Sequence, residues 1–317
     1  MSTIVVTGAN GFIGGPLSAL LASEGHRVRA TVRSGGSGSR PPAIEVHAIG
    51  DLEGRPDWSA VLPGSDCVIH LAGRAHVVCE TAEDADAVFH RVNVEATTAL
   101  FRACDSAGVR RFVFVSSIGV LGVASGGRAF NATSEPRPTE AYAVSKWQAE
   151  CALTALASAS ATQLVIVRPT LVCGVGAKGN FERLVQLVKR RLPLPLASVR
   201  GGRNFVGLSN LCELLELCST HPSAAGRTYL AADPETYSTP QLIRAIAAAL
   251  SLEARLLPCP PPLLRLAGAV LGRRAEVNRI IDSLLVDASA ARTELGWRSK
   301  VPLAEEIASM ARHARQK

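Results

Sequence analysis

The chain has 317 residues, 47% of them hydrophobic, which is enough for one large core or two domains, and no run of about 18 apolar residues would span a membrane. A formal net charge of +7 suits anionic ligands, but the basic residues are dispersed and only 4% of residues are aromatic, which argues against a nucleic-acid binder. The eight cysteines form no C-x-x-C pair, which excludes a zinc site and a disulfide framework and reads as reduced cytosolic thiols.

Ile4-Val5-Val6 is a β-branched run suited to a buried strand. No signal peptide precedes it, so a cytoplasmic protein is expected. Gly8, Gly11 and Gly14 follow at once. Between a strand and a helix, the first allows a tight turn, the second lets backbone approach a pyrophosphate, and the third lets the helix pack close. The helix is predicted over 12–23, with Ile13, Leu17, Leu20 and Leu21 on one side and its first N–H groups toward the phosphates. Gly8, Asn10, Gly11, Phe12, Ile13 and Gly14 are therefore candidates for dinucleotide binding.

The next predicted strand, 26–33, ends without the acidic residue that holds a ribose 2′-OH in NAD sites. Arg33 stands there instead. A guanidinium suits a 2′-phosphate, so NADP(H) is favoured and NAD(H) is the alternative, with Arg33 then a plain surface residue. The stretch 35–40 is rich in Gly and Ser and is expected to be flexible, with Arg40 as a further phosphate candidate. Asp51 and Leu52 end a third strand and are candidates to flank adenine. Residues 67–73 predict a fourth strand ending in Leu71, Ala72 and Gly73, small enough overall to let the cofactor lie over it. His70 within it reads as a packed histidine rather than a catalyst.

Phe112 to Val115 predicts another buried strand, ended by Ser116-Ser117. Tyr142 opens a helical stretch with Lys146 four residues on, so both project into one site. A neighbouring ammonium is expected to lower the Tyr142 pKa toward working pH, and a serine hydroxyl can hold a substrate oxygen. Ser117, Tyr142 and Lys146 are the candidate catalytic set. The alternation of strand runs and helical patterns to about residue 170 predicts an α/β fold, a Rossmann-type doubly wound parallel sheet. A dinucleotide-binding domain is expected over 1–170 and a smaller, mainly helical substrate-binding domain over 171–317. A late segment near 203–235, with a strand at Thr228-Tyr229-Leu230, returns to the sheet, so the two interleave. Residues 260–274 predict a short apolar helix with basic ends, fitting either a substrate-domain helix or a peripheral membrane contact.

These motifs resemble those of the extended short-chain dehydrogenases/reductases, in the NAD-dependent epimerase/dehydratase group. The resemblance covers nearly the whole chain: Thr7 to Gly14, Leu71-Ala72-Gly73, Asn93, Ser116-Ser117, Tyr142 to Lys146, and Arg168-Pro169-Thr170. It implies that Ser117 is the catalytic hydroxyl, Asn93 a structural asparagine, and Pro169 and Thr170 neighbours of the nicotinamide. Leu121-Gly122 and Cys173-Gly174 depart from the family's aromatic-Gly pairs, which alters the pocket lining. Relatives commonly dimerise through a four-helix bundle, so a homodimer through 93–104 and the Tyr142 helix is expected.

The C-terminal half resembles nucleotide-sugar members. Lys178-Gly179-Asn180-Phe181 is similar to their diphosphate and sugar segment, and Leu192 to Leu196 to their uracil-side loop. Arg203 and Arg279 fall where relatives clamp the diphosphate. The implied substrate contacts are Ser117, Asn180, Leu194, Arg203 and Arg279, with no metal. Sugar 4,6-dehydratases carry an Asp-Glu pair after the catalytic hydroxyl residue, whereas Ile118 and Gly119 stand here, so dehydration is not expected. The resemblance implies reduction of the C4 keto group of a UDP-2-acetamido-2,6-dideoxy-4-keto-hexose for O-antigen synthesis. A UDP-sugar 4-epimerase with bound NAD, a steroid- or flavonoid-type ketone reductase, and a non-catalytic NADP-sensing protein are the alternatives.

Overall fold

Seven runs of mostly β-branched and aromatic residues form one parallel sheet. They are β1 (Thr3–Thr7), β2 (Arg27–Val32), β3 (Ile44–Ala48), β4 (Cys67–His70), β5 (Arg111–Val115), β6 (Gln163–Pro169) and, after an intervening strand pair, β9 (Thr228–Ala231). Their order is β3-β2-β1-β4-β5-β6-β9. The computed structural model describes residues 1–317 apart from 36–40, 55, 76–81, 178 and 317, and apart from the side chains of 82–84, 180, 315 and 316. The intervening β7 (Leu171–Cys173) and β8 (Gly202–Gly207) join β10 (Thr236–Ser238) in a second sheet, ordered β10-β8-β7.

The helices are α1 (Gly14–Ser23), α2 (Ala82–His90), α3 (Ala96–Ser106), α4 (Ala141–Ala157), α5 (Asn180–Lys189), α6 (Leu208–Thr220), α7 (Thr239–Ala249), α8 (Pro261–Val270), α9 (Arg274–Ile281), α10 (Ser289–Leu295) and α11 (Leu303–Gln316). Alternate side chains of β1 serve opposite faces of the sheet, as the strand period of two requires. Ile4 and Val6 pack with Leu17 and Leu21 of α1 and Leu211, Leu214 and Leu215 of α6. Val5 packs with Leu100 and Phe101 of α3 and Ala149 and Leu153 of α4. Each fully buried side chain of this size contributes roughly 1.5–3 kcal/mol. Covering both faces leaves the C-terminal strand ends as the open edge, where such sheets bind ligands.

A third cluster joins Cys173, Phe181 and Phe205 to Ile243, Ile246, Leu303 and Ile307, under the second sheet. The two sheets meet at buried Asp233, two residues past β9. Its carboxylate accepts from Gly207 N at 2.8 Å, Asn210 Nδ2 at 3.0 Å and Ser299 Oγ at 2.6 Å. The expected doubly wound sheet is thus present, with differences at element ends. The helix predicted from residue 12 begins at Gly14, because residues 8–13 are used by the turn.

Candidate active site

The order of strands places the sheet's switch point between β1 and β4, and the glycine turn sits there. Gly8 has φ +69°, and a Cβ on it would stand 3.1 Å from the backbone N and Cα of Ala72. Gly11 N donates to Gly8 O at 2.8 Å. A Cβ on Gly14 would lie 2.2 Å from Gly8 O, so only glycine lets α1 begin this close to the turn. The first turn of α1 has no side-chain cap and no acidic residue, leaving its N–H dipoles suited to phosphate. Across the crevice, Thr7 Oγ1 accepts from both Leu71 N and Ala72 N at 3.1 Å. With both its lone pairs engaged, the hydroxyl donates to His70 Nδ1 at 2.8 Å, which leaves the His70 Nε2 proton for Thr97 Oγ1 at 3.0 Å. Burial, then the nearby Lys146 charge, pushes the His70 pKa down to about 3, so the imidazole is neutral and structural. The glycine cradle therefore fits a dinucleotide pyrophosphate.

Arg33 follows β2 directly, its side chain 80% exposed, with Nε 3.3 Å from Asp51 Oδ2. The cation expected to meet a 2′-phosphate thus shares its place with an acidic residue. Asp51 also accepts from Glu53 N at 3.1 Å in the turn that contains Leu52. Arg40 lies outside the described residues.

Beside the cradle, Ser117 caps the short turn 118–121 through a bond from Gly119 N to its Oγ at 3.1 Å. A Cβ on Gly119 would stand 3.4 Å from both Ser117 Oγ and Ala143 Cβ, so the serine faces the first turn of α4. Lys146 is buried; its Nζ donates to Val115 O at 3.0 Å and lies 4.6 Å above the Phe114 ring. A Cβ on Gly73 would be 3.5 Å from that ammonium and 3.0 Å from Asn93 Oδ1. Burial brings Lys146 down to about 8, partly opposed by Glu150 one turn along α4. Tyr142 overturns one expectation. Its pKa is pushed up, to about 12, because burial outweighs any effect of the ammonium, which is directed at the Val115 carbonyl. The Tyr142 hydroxyl is therefore protonated at neutral pH and poised as a donor. Next to Ser117, the Ser116 hydroxyl is buried without a protein partner.

Three supports hold this set, the first built on Asn93, which the family resemblance gives as a structural asparagine. Asn93 lies in a π-helical segment, Arg91–Glu95, between α2 and α3, a local unwinding often found at functional sites. It accepts from Arg74 N at 2.8 Å and donates to Arg74 O and Ser145 Oγ, both at 3.0 Å. Ser145 in turn donates to Tyr142 O at 2.8 Å. On the far side of α4, Arg168 of β6 forks onto buried Glu150, with Nε to Oε1 at 3.0 Å and Nη2 to Oε2 at 2.5 Å. Glu140, the residue before α4, pairs with Arg279 of α9. Glu150 and Arg168 had a weak signal in their places near Lys146 and Pro169; Ser145 and Glu140 had none.

The other predicted positions fall as follows. Pro169 ends β6, and Thr170 donates through N and Oγ1 to Ala231 O at 3.0 and 3.1 Å. Phe12 reaches the turn at Gly176 of the second sheet, where a Cβ would meet its ring at 3.6 Å. Leu194 pairs with Leu256 and packs on the third cluster instead of lining an open loop. Arg203 is committed to backbone carbonyls, donating to Arg279 O at 2.7 Å and Asp282 O at 3.1 Å. It fixes the end of α9, whereas the half-buried Arg279 side chain pairs with Glu140. Lys178 and the Asn180 side chain lie outside the described residues. No group of metal-ligating side chains occurs among the described residues.

The NAD dependent epimerase/dehydratase family profile matches residues 4–231. The chain belongs to that family. It is thus an enzyme of the short-chain dehydrogenase/reductase type, and the sensing alternative falls. A relative from Vibrio cholerae named UDP-glucose 4-epimerase is 34% identical over 306 residues, covering 96% of this chain and 92% of its own. The structure of MoeE5 with UDP-glucose and NAD superposes with a TM-score of 0.77 at 26% identity, over 99% of each chain. That of RMD from Pseudomonas aeruginosa, complexed with NADPH, gives 0.74 at 20% identity over 100% of each chain and shares the fold. Proteins of known structure that share this fold thus hold either nicotinamide dinucleotide.

Proposed function

We propose that this epimerase/dehydratase-family enzyme reduces the C4 keto group of a UDP-2-acetamido-2,6-dideoxy-4-keto-hexose, using NADP(H). The observation that carries this reading is the convergence of Ser117, Tyr142 and Lys146 beside the glycine cradle, with no carboxylate following Ser117. The bound dinucleotide supplies the hydride. The Ser117 hydroxyl holds the substrate's C4 oxygen, and protonated Tyr142 gives that oxygen its proton as negative charge develops on it. Lys146 supplies positive charge beneath the tyrosine and steadies the nearby ribose. Arg33 meets the 2′-phosphate by exchanging Asp51 for it, and Arg279 meets the substrate diphosphate by exchanging Glu140. In this reading residues 1–170 with the returning β9 bind the dinucleotide, and the rest of 171–317 shapes the sugar-nucleotide side. The enzyme works as a cytoplasmic homodimer in O-antigen synthesis.

A UDP-sugar 4-epimerase with retained NAD is the second reading, favoured by the Vibrio cholerae relative and by Asp51 beside Arg33. One experiment separates them. The purified enzyme is given NADPH and the 4-keto sugar nucleotide, with UDP-glucose and UDP-N-acetylglucosamine in parallel. Stoichiometric NADPH oxidation supports the reductase. No oxidation, with interconversion of either control sugar and its galacto epimer, overturns it in favour of the epimerase.

A further inference from the structure

Six of the twelve large apolar side chains exposed among the described residues fall between 257 and 280. Four belong to α8 and the residue after it: Leu263 at 56%, Leu266 at 62%, Val270 at 78% and Leu271 at 72% exposed. Leu263, Leu266, Ala267 and Val270 follow the i, i+3, i+4, i+7 pattern, so they form one stripe along the helix. The opposite side of α8 is firmly seated. A Cβ on Gly268 would meet Val277 of α9 at 2.7 Å, and Arg265 donates to Asn278 Oδ1 at 3.1 Å and Asp282 Oδ1 at 2.6 Å. The stripe is therefore held outward by close packing behind it. A soluble surface rarely presents such a row without a partner.

We propose that α8 docks the enzyme on an anionic phospholipid bilayer, with its apolar stripe in the interface and Arg273 and Arg274 against the headgroups. Two observations select this occupant. Both arginines are exposed directly beyond Leu271, and neither pairs with a described carboxylate; Glu276 is the exposed acid nearby. A basic end beside an apolar stripe matches the charge and depth of an anionic interface. The stripe is also small: one ten-residue helix falls far short of the roughly 800 Å² and 20–30 residues a side that a stable dimer uses. The site's relation to the surface follows, because α9 carries Arg279, which reaches Glu140 beside the Tyr142 helix. Docked on α8, the enzyme holds its substrate-side arginine close to the bilayer. This inference does not depend on which sugar is turned over.

The test is co-sedimentation of the full chain with phosphatidylglycerol/phosphatidylcholine vesicles and with pure phosphatidylcholine vesicles. Binding is expected to the anionic vesicles and to weaken at high salt. Leu266→Ser with Val270→Ser, and separately Arg273→Glu with Arg274→Glu, should each weaken it roughly tenfold or more. Because these side chains are exposed and lie outside the candidate site, both variants should keep the wild-type melting temperature and nicotinamide-linked turnover. No binding, or binding unchanged in both variants, overturns the proposal. So does a halved molar mass of the Leu266→Ser/Val270→Ser variant in light scattering, which would assign the stripe to a second copy of the chain.

Discussion

Removing the Tyr142 hydroxyl while keeping its ring separates chemistry from packing, since the ring rests edge-on against Phe89 at 6.2 Å. Tyr142→Phe should lower turnover roughly 10²–10⁴-fold with an unchanged thermal midpoint; steady-state kinetics beside a melting curve checks both. His70 gives a pH prediction. Its folded-state pKa, about 3, lies below the ordinary value of 6.5. On acidification the unfolded chain takes the proton first, so stability is full above 6.5 and is lost as pH falls toward 3. Urea midpoints measured above and within that window should fall less steeply for His70→Asn than for the wild type. At this scale the sequence displays what is local. Tyr142 and Lys146 declare themselves because four residues fix their shared face. The partners Glu140 and Arg279 are 139 positions apart and come together only through the fold. The rise in the Tyr142 pKa was likewise hidden, since burial is a property of the whole assembly around it.

Between elements, two contacts can be tested by packing alone. Gly14→Ala forces a Cβ against Gly8 O, so the turn and α1 must separate. A stability loss of roughly 1–3 kcal/mol is expected, with at least a tenfold loss of dinucleotide affinity in a fluorescence titration; unchanged affinity would detach the cradle from the cofactor. The Arg168–Glu150 pair ties β6 to α4 in the interior. Arg168→Met alone leaves a buried carboxylate unpaired and should cost roughly 3–5 kcal/mol in urea unfolding, whereas Arg168→Met with Glu150→Leu should recover most of it. Strands such as β1 and β5 were legible because residues buried on both faces leave an unbroken apolar run. The π-helical segment at Arg91–Glu95 was not, because its extra residue is set by what Asn93 must reach across the site, which no local propensity encodes.

For the molecule as a whole, the proposed use of NADP(H) rests on Arg33, exposed beside Asp51. Arg33→Ala should raise KM for NADPH at least tenfold and leave KM for NADH nearly unchanged; equal effects on both would remove Arg33 from the 2′-phosphate. The Rossmann-type sheet was readable from its alternating pattern and its glycine turn. The arrangement of the C-terminal half was less so: Leu194 and Phe181, read as ligand-side segments, belong to a core whose other members lie near residues 243 and 307. The seventh strand carries a consequence for biosynthesis. β6 ends at Pro169, but β9, its neighbour, ends at Ala231. During translation at roughly 5–20 residues per second, the β6 edge emerges several seconds before the strand that will cover it. Throughout that interval the nascent chain offers Val165, Ile166 and Val167 beside an unpaired backbone. Its yield in a cell should therefore be governed by chaperone supply during those seconds more than by the stability of the finished sheet.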